Sequence, residues 1–181
     1  MTPFLTFYTP TYRRPLQLAR CMESVRTQTA VQDIEQIVIP DYVGLGVGGM
    51  FARVRDYVHA VHGRYVHLLA DDDVLASPTV VAEVQAFAAA HRFPEVILVA
   101  TVKNGARWPL GKPWPPVCGR IDLGCVITRG DVWRRYAHEY GHRYEGDYDM
   151  MYALYRDGHD AVQSDLVFSV GAVSRGVPEA A

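Results

Sequence analysis

Asp71-Asp72-Asp73 closes the run Tyr65-Val66-His67-Leu68-Leu69-Ala70, and that junction constrains the chain more than any other stretch. A run this apolar, bounded by turn residues, predicts a buried strand. Three adjacent carboxylates at its end repel one another, and each raises its neighbours' pKa unless a counter-charge is near. Capping of the next helix does not account for them. Ser77-Pro78 reads as N-cap and first-turn proline just ahead of Val80, Val81, Val84 and Phe87. Two explanations remain: a solvated acidic turn, or a site for a hard cation such as magnesium or manganese, which takes carboxylate oxygens together with substrate phosphates.

The stretches on either side alternate strand with helix. Phe4 to Tyr8 reads as a first strand and Thr9 to Pro15 as a loop whose second proline suits a helix start. Leu18, Cys21, Met22 and Val25 then share a helical face. Gln36 to Ile39 is a second strand, ended by Pro40-Asp41, and Met50, Val54, Tyr57, Val58 and Val61 mark a helix stopped near Gly63. A helix over about 78–91 and a strand over Val96 to Ala100 follow the acidic triplet. This alternation predicts a parallel sheet covered on both faces. Right-handed crossovers then bring Thr9 to Arg14, Asp41 and Asp71 to Asp73 to one edge.

The regularity breaks at Lys103. From there to Arg120 the chain carries Trp108 and Trp114 without a usable period, as functional or mobile loops do. Beyond it, Cys125 to Thr128 reads as a short strand, Trp133 to Tyr140 and Met150 to Tyr155 as helices, and Ala161 to Val170 as a last strand before a loose tail. No repeat or linker divides the 181 residues, which points to one domain.

A net charge of -2 removes tight nonspecific nucleic-acid binding from consideration. No apolar run reaches the length of a transmembrane helix, and the amino terminus shows no basic-then-apolar leader. Three widely spaced cysteines, Cys21, Cys118 and Cys125, argue for buried free thiols in a reducing, cytoplasmic compartment rather than disulfides or zinc.

Gly44, Gly46 and Gly49 satisfy GxGxxG, with a strand before and a helix after, as a dinucleotide fingerprint requires. Pro40 to Val43 separate strand from glycine, however, whereas the fingerprint turns tightly off its strand. A connector that lets a helix start close to a phosphate is the better reading. An NAD(P)-binding oxidoreductase is kept as an alternative, as is a nucleotidyltransferase of similar sheet.

Tyr8-Thr9-Pro10-Thr11-Tyr12-Arg13-Arg14-Pro15 resembles the first-strand motif of family 2 glycosyltransferases, a pattern close to "PTYNRP". Ile37 to Asp41 resembles that family's second-strand end. The glycine loop with Gly63 to Asp73 is similar to its "GLG…GEYI…LDDD" stretch containing the DxD motif, and Gly146 to Met150 with Gly158 to its "EDYDL…GH" element. Together the matches cover about three quarters of the chain, in the family's order. Gly146 stands where a glutamate is usual, and Arg13 and Arg55 where asparagine is common.

The resemblance implies a GT-A-like fold: α/β, a Rossmann-type mostly parallel sheet with helices on both faces. Residues 1–102 would form a nucleotide-binding half, 103–170 a sugar and acceptor half, and 171–181 a tail. It implies transfer from a nucleotide-diphosphate sugar, a UDP-sugar before others, with inversion at the anomeric carbon. It assigns Pro10, Thr11, Tyr12 and Asp41 to the nucleoside, Asp71 to the ribose side, and Asp73, with Asp71 beside it, to a divalent Mn2+ or Mg2+ on the diphosphate. Arg14 would contact base or phosphates, and Asp147 would be the base that deprotonates the acceptor hydroxyl. The acceptor stays open among a saccharide, a lipid-linked sugar, a protein and a modified nucleobase.

Several residues keep two readings. Asp149, just before Met150, suits a helix cap, which leaves Asp147 free for chemistry. Trp108 and Trp114 suit either a sugar platform or pins that hold a long loop to the core. Arg120 and Asp122 suit either sugar contacts or a surface ion pair. His59 and His62 share a helical face but have no third ligand in view, so a solvated face is expected.

Overall fold

The computed structural model describes residues 2–109 and 111–171; the expected tail beyond Gly171 lies outside the described residues. Thirteen regular elements follow in order: β1 (Leu5–Thr11), α1 (Pro15–Arg26), β2 (Ile34–Pro40), α2 (Gly46–Asp56), β3 (Tyr65–Leu68), β4 (Asp73–Leu75), α3 (Val80–Ala90), β5 (Val96–Lys103), β6 (Ala106–Trp108), β7 (Val126–Arg129), α4 (Gly130–Tyr136), α5 (Gly146–Arg156) and β8 (Ala161–Gly171). The strands form one sheet in the order β2-β1-β3-β7-β5-β8-β4, with β6 paired to β5.

Both faces of this sheet are buried, and the strand period of two divides the apolar side chains between them. Leu5 and Phe7 of β1, Tyr65 of β3 and Ile97 and Val99 of β5 pack on the face covered by Cys21 and Val25 of α1 and Val80, Val81 and Val84 of α3. Tyr8, Val66, Leu68, Val96 and Leu98 point the other way, onto Phe51 and Val54 of α2, Trp133 of α4 and Met150, Met151 and Leu154 of α5. The uninterrupted apolar runs are therefore what a strand sandwiched by helices requires. His67 shares this burial; its Nδ1 lies 2.9 Å from the Val126 carbonyl, and burial lowers its pKa to about 4, so the ring is neutral.

The sheet is mixed. β1 pairs in parallel with β2 and β3, and β5 with β8, as the alternation predicts. Between these two parallel units β7 runs antiparallel to both β3 and β5. The acidic triplet is accordingly not a simple strand end. β3 stops at Leu68, and Asp73 already opens β4, a short strand antiparallel to β8.

Other local expectations shift for visible reasons. Helix α3 starts at Val80, not Pro78, with Thr79 at the N-cap; Ser77 Oγ instead accepts from Thr79 N–H in a turn ahead of it. Buried Gln28 tethers this helix start from outside. Its Oε1 accepts from Val81 N–H (3.2 Å), and its Nε2 donates to the carbonyls of Ser77 (2.8 Å) and Ser24 (3.1 Å). Cys21 and Cys125 are buried thiols as expected, but Cys118 is exposed. Trp108 and Trp114 both pack against the core, so the pinning role is the one seen.

Gln28→Ala removes all three of these hydrogen bonds and leaves the Val81 N–H without its acceptor. It is expected to destabilise the protein by about 1–3 kcal/mol, read as a lower urea midpoint at unchanged slope; an unchanged midpoint would remove Gln28 from the framework.

Candidate active site

The loops expected at one sheet edge do meet there. Asp41 N–H donates to the Thr11 carbonyl (2.7 Å), which joins the ends of β1 and β2. Thr11 Oγ1 donates to Asp71 Oδ2 (2.8 Å), and Arg14 donates to Asp71 Oδ1 and to Asp72 Oδ2, each at 3.1 Å. Pro10 sits in β1 beyond Tyr8, the last residue registered with β3, so its missing N–H breaks no ladder pair on that side. Burial raises the Asp71 carboxyl pKa, opposed by Thr11 and Arg14. Each Asp71 oxygen accepts one of these hydrogen bonds, so a cation at Asp71 would share the carboxylate with Thr11 and Arg14.

Asp41 turns inward on its own loop. Its carboxylate accepts from the backbone N–H groups of Val43 (3.0 Å), Gly44 (2.9 Å) and Leu45 (2.6 Å). Against some desolvation, these donors hold its pKa below the usual carboxylate range. Arg13 takes a left-handed backbone (φ 52), a conformation in which asparagine is enriched, and its guanidinium lies 5.1 Å from the Tyr12 ring centre. Glycines in the following loop serve close packing: a Cβ on Gly48 would lie 2.5 Å from the His142 carbonyl oxygen. The loop also follows β2, an edge strand, and α2 begins inside it. A dinucleotide grip therefore finds little support in its geometry.

Asp73 forms a second cluster with residues far along the chain. Its side chain is buried, and Oδ2 has no hydrogen-bond partner although Lys103 Nζ lies 3.4 Å away. Lys103 donates instead to Asp122 Oδ1 at 2.8 Å, and the same oxygen accepts from Gly124 N–H. Asp122 thus pairs with Lys103 rather than with Arg120. Burial pushes the Asp73 carboxyl up to about 6, partly offset by Lys103. The lysine, despite its own desolvation, is held above the usual ammonium range by Asp122 and Asp73.

The strand register explains how these groups meet. Gly171 of β8 is the register partner of Asp73 on one side and of Lys103 on the other. A Cβ there would lie 2.7 Å from Asp73 Oδ1 and 2.9 Å from Lys103 Cγ, so only glycine lets the ammonium reach across the strand. Neither Lys103 nor Gly171 stood out in the sequence. A lysine ending a strand that is apolar but for Thr101 was the one available signal.

Asp147 stands in the first turn of α5, its Oδ1 accepting from Tyr148 N–H (2.8 Å). Burial pushes its carboxyl up to about 6; Asp122 raises it further, while backbone groups of Tyr148 and Leu123 favour the charged form. Asp122 therefore links Asp147 electrostatically to Lys103 and Asp73. Asp149 does not cap the helix; it pairs with Arg143, Nε to Oδ2 at 3.0 Å. Position 146 requires glycine, because a Cβ there would lie 2.3 Å from the Gly141 carbonyl oxygen and 2.8 Å from Phe51. His62 pairs with Glu35 (2.8 Å), away from this edge.

A cavity of about 480 Å³ lies elsewhere, lined by Phe4, Asp33, Arg64, Arg129 and Arg134 near the starts of β1 and β3. Its arginines are engaged: Arg129 with Asp131 and Glu95, Arg134 with the Val61 carbonyl, Arg64 over the Phe93 ring. A smaller one of about 200 Å³ borders the acidic turn at Asp72, Val74 and Gly171. Among the described residues, no three His, Cys, Asp or Glu side chains converge as a ready-made metal cage, and no helix is long and apolar enough to cross a membrane.

No protein-family model and no curated protein sequence matches the chain. Solved structures do. The chain is similar to residues 1–349 of TarS from S. aureus in complex with UDP-GlcNAc, with a TM-score of 0.68 and 15% identity over 96% of this chain and 59% of that one. It is similar to the mannosyltransferase PcManGT from Pyrobaculum calidifontis in complex with GDP-Man and Mn2+, with a TM-score of 0.60 and 11% identity over 97% and 59% of the two chains. For A197 from STIV the TM-score is 0.58, with 12% identity over 94% of this chain and 86% of that one. At such identities the likeness is one of fold, and the fold is GT-A-like. The chain spans 37–60% of the length of the TarS chains it matches.

Asp122→Asn removes the charge that faces Asp147 while burial stays. The Asp147 carboxyl pKa is therefore expected to fall from about 6 towards the ordinary value, as followed by carbon-detected NMR titration; a rise would show that Asp122 does not act on it.

Proposed function

We propose that the protein is a glycosyltransferase that moves a sugar from a nucleotide-diphosphate donor, a UDP-sugar in the first instance, to an acceptor hydroxyl with inversion. The observation that carries this reading is the shared edge itself. A buried carboxylate with a raised pKa, Asp147, is coupled through Asp122 to the buried, open oxygen of Asp73. The GT-A-like fold and the nucleotide-sugars bound by its solved neighbours support the same chemistry.

Charge decides what else the site needs. Arg14 and Lys103 face Asp71, Asp72, Asp73 and Asp122, so carboxylates outnumber the cations that pair with them before any diphosphate arrives. A second anion in that position needs further positive charge. The residues present fit a divalent ion, because such ions bind through one or two carboxylates plus substrate phosphates, and Asp73 Oδ2 is a buried acceptor without a donor. Bound there, a divalent ion supplies Lewis-acid stabilisation to the departing diphosphate.

The chain's own groups then divide the work. Thr11 and Arg14 hold Asp71 in place on the ribose side, and Pro10, Tyr12 and the loop shaped by Asp41 border the nucleoside. Asp147 accepts the acceptor's proton as the hydroxyl attacks the anomeric carbon opposite the leaving group. The carbon passes through an oxocarbenium-like state, as in glycoside hydrolysis. A pKa near 6 leaves Asp147 ionised at neutral pH yet more basic than an exposed aspartate, which suits a general base.

Asp147→Asn is expected to retain UDP binding in the presence of Mn2+ but to lose about 10²–10⁴-fold in transfer or donor-hydrolysis rate. In the wild type, kcat/KM should rise with pH through about 6 as Asp147 loses its proton, then level off. Thermal shift with UDP, GDP and NAD, each with Mn2+ and with chelator, tests the donor class. Stabilisation by NAD alone, indifferent to chelator, would overturn the reading.

A further inference from the structure

Lys103 is the charged group at this edge whose placement the expected chemistry does not explain. It ends β5, reaches over Gly171, and donates at 2.8 Å to Asp122. It approaches Asp73 Oδ2 to 3.4 Å yet makes no hydrogen bond with it, and that oxygen is buried. The pairing is thus lopsided: firm towards Asp122, loose towards the carboxylate that faces the donor's cation in the proposed reaction. Asp72 adds negative charge nearby, itself tied to Arg14.

We propose that Lys103 is an exchangeable cation. In the absence of donor it neutralises Asp73 and Asp122. When donor diphosphate and a divalent ion bind together, Asp73 passes to the ion and the Lys103 ammonium turns to the diphosphate. The physical basis is that two cations repel one another over a single open oxygen, so a divalent ion alone must work against the lysine. A diphosphate alone must work against the carboxylates. Arriving together, each relieves the other's cost, and Mn2+ and UDP bind with positive coupling. Lys103 acts here as a positioning residue that ties metal occupancy to donor occupancy. It rests on the donor reading only in its second half.

The test is equilibrium binding of Mn2+, followed by its electron paramagnetic resonance signal, with and without UDP. In the wild type Mn2+ alone is expected to bind weakly and UDP to tighten it, within the roughly 5- to 150-fold usual for coupled sites. Lys103→Met removes the resident cation: Mn2+ alone should bind at least about fivefold tighter, and the factor gained from UDP should shrink. Lys103→Arg keeps the charge and should keep weak Mn2+ binding. Asp122→Asn acts with the opposite sign, since the lysine loses its firm partner and closes on Asp73; Mn2+ binding should weaken. This second variant carries the test if Lys103→Met does not fold. Mn2+ affinity unchanged in Lys103→Met, or an undiminished UDP factor, would overturn the exchange. If wild-type protein binds no UDP under any condition, the donor reading fails instead, and the Mn2+ measurements alone decide whether Lys103 guards Asp73.

Discussion

Repulsion among adjacent carboxylates, held in check by cations brought from elsewhere in the chain, is the constraint around which this edge of the molecule is arranged. Asp71 and Asp73 are buried and Asp72 half-buried, so water cannot fully screen them. Arg14, one residue ahead of α1, answers the first two; Lys103, at the end of β5, answers the third. Each counter-charge arrives on a different element, so the edge holds together only when β1, β4, β5 and β8 are in register. The order of this edge draws on these ion pairs.

The first half of the fold was open to reading because its signals are local. Apolar runs bounded by turn residues placed β1, β2, β3 and β5, and Pro15 marked the start of α1. The convergence of Thr11, Arg14, Asp41 and Asp71 followed from right-handed crossovers. What the residues could not show was how far the carboxylates would be consumed by partners. Asp41 is taken up by three backbone donors of its own loop and Asp71 by Thr11 and Arg14, and such partners are chosen by geometry rather than by residue type.

The second half was harder because its contacts are long-range. β7 enters the sheet antiparallel between β3 and β5, and β4 and β6 are three residues each, too short for any period to register. Asp149 illustrates the limit: its position suited a cap, but Arg143 six residues earlier claims it. Gly146 makes sense only against the Gly141 carbonyl and Phe51 that crowd it. Local propensity gave way in these cases to tertiary packing.

Gly171 has a consequence for how the protein comes into being. It lies far beyond Asp73 in the chain, and sits between Asp73 and Lys103 as register partner to both. A chain emerging from the ribosome therefore presents its acidic turn long before the strand that seats the balancing ammonium has been made. Until β8 docks, the turn can relieve its charge only through Arg14 and solvent, so in a nascent chain this acidic edge stays electrostatically incomplete.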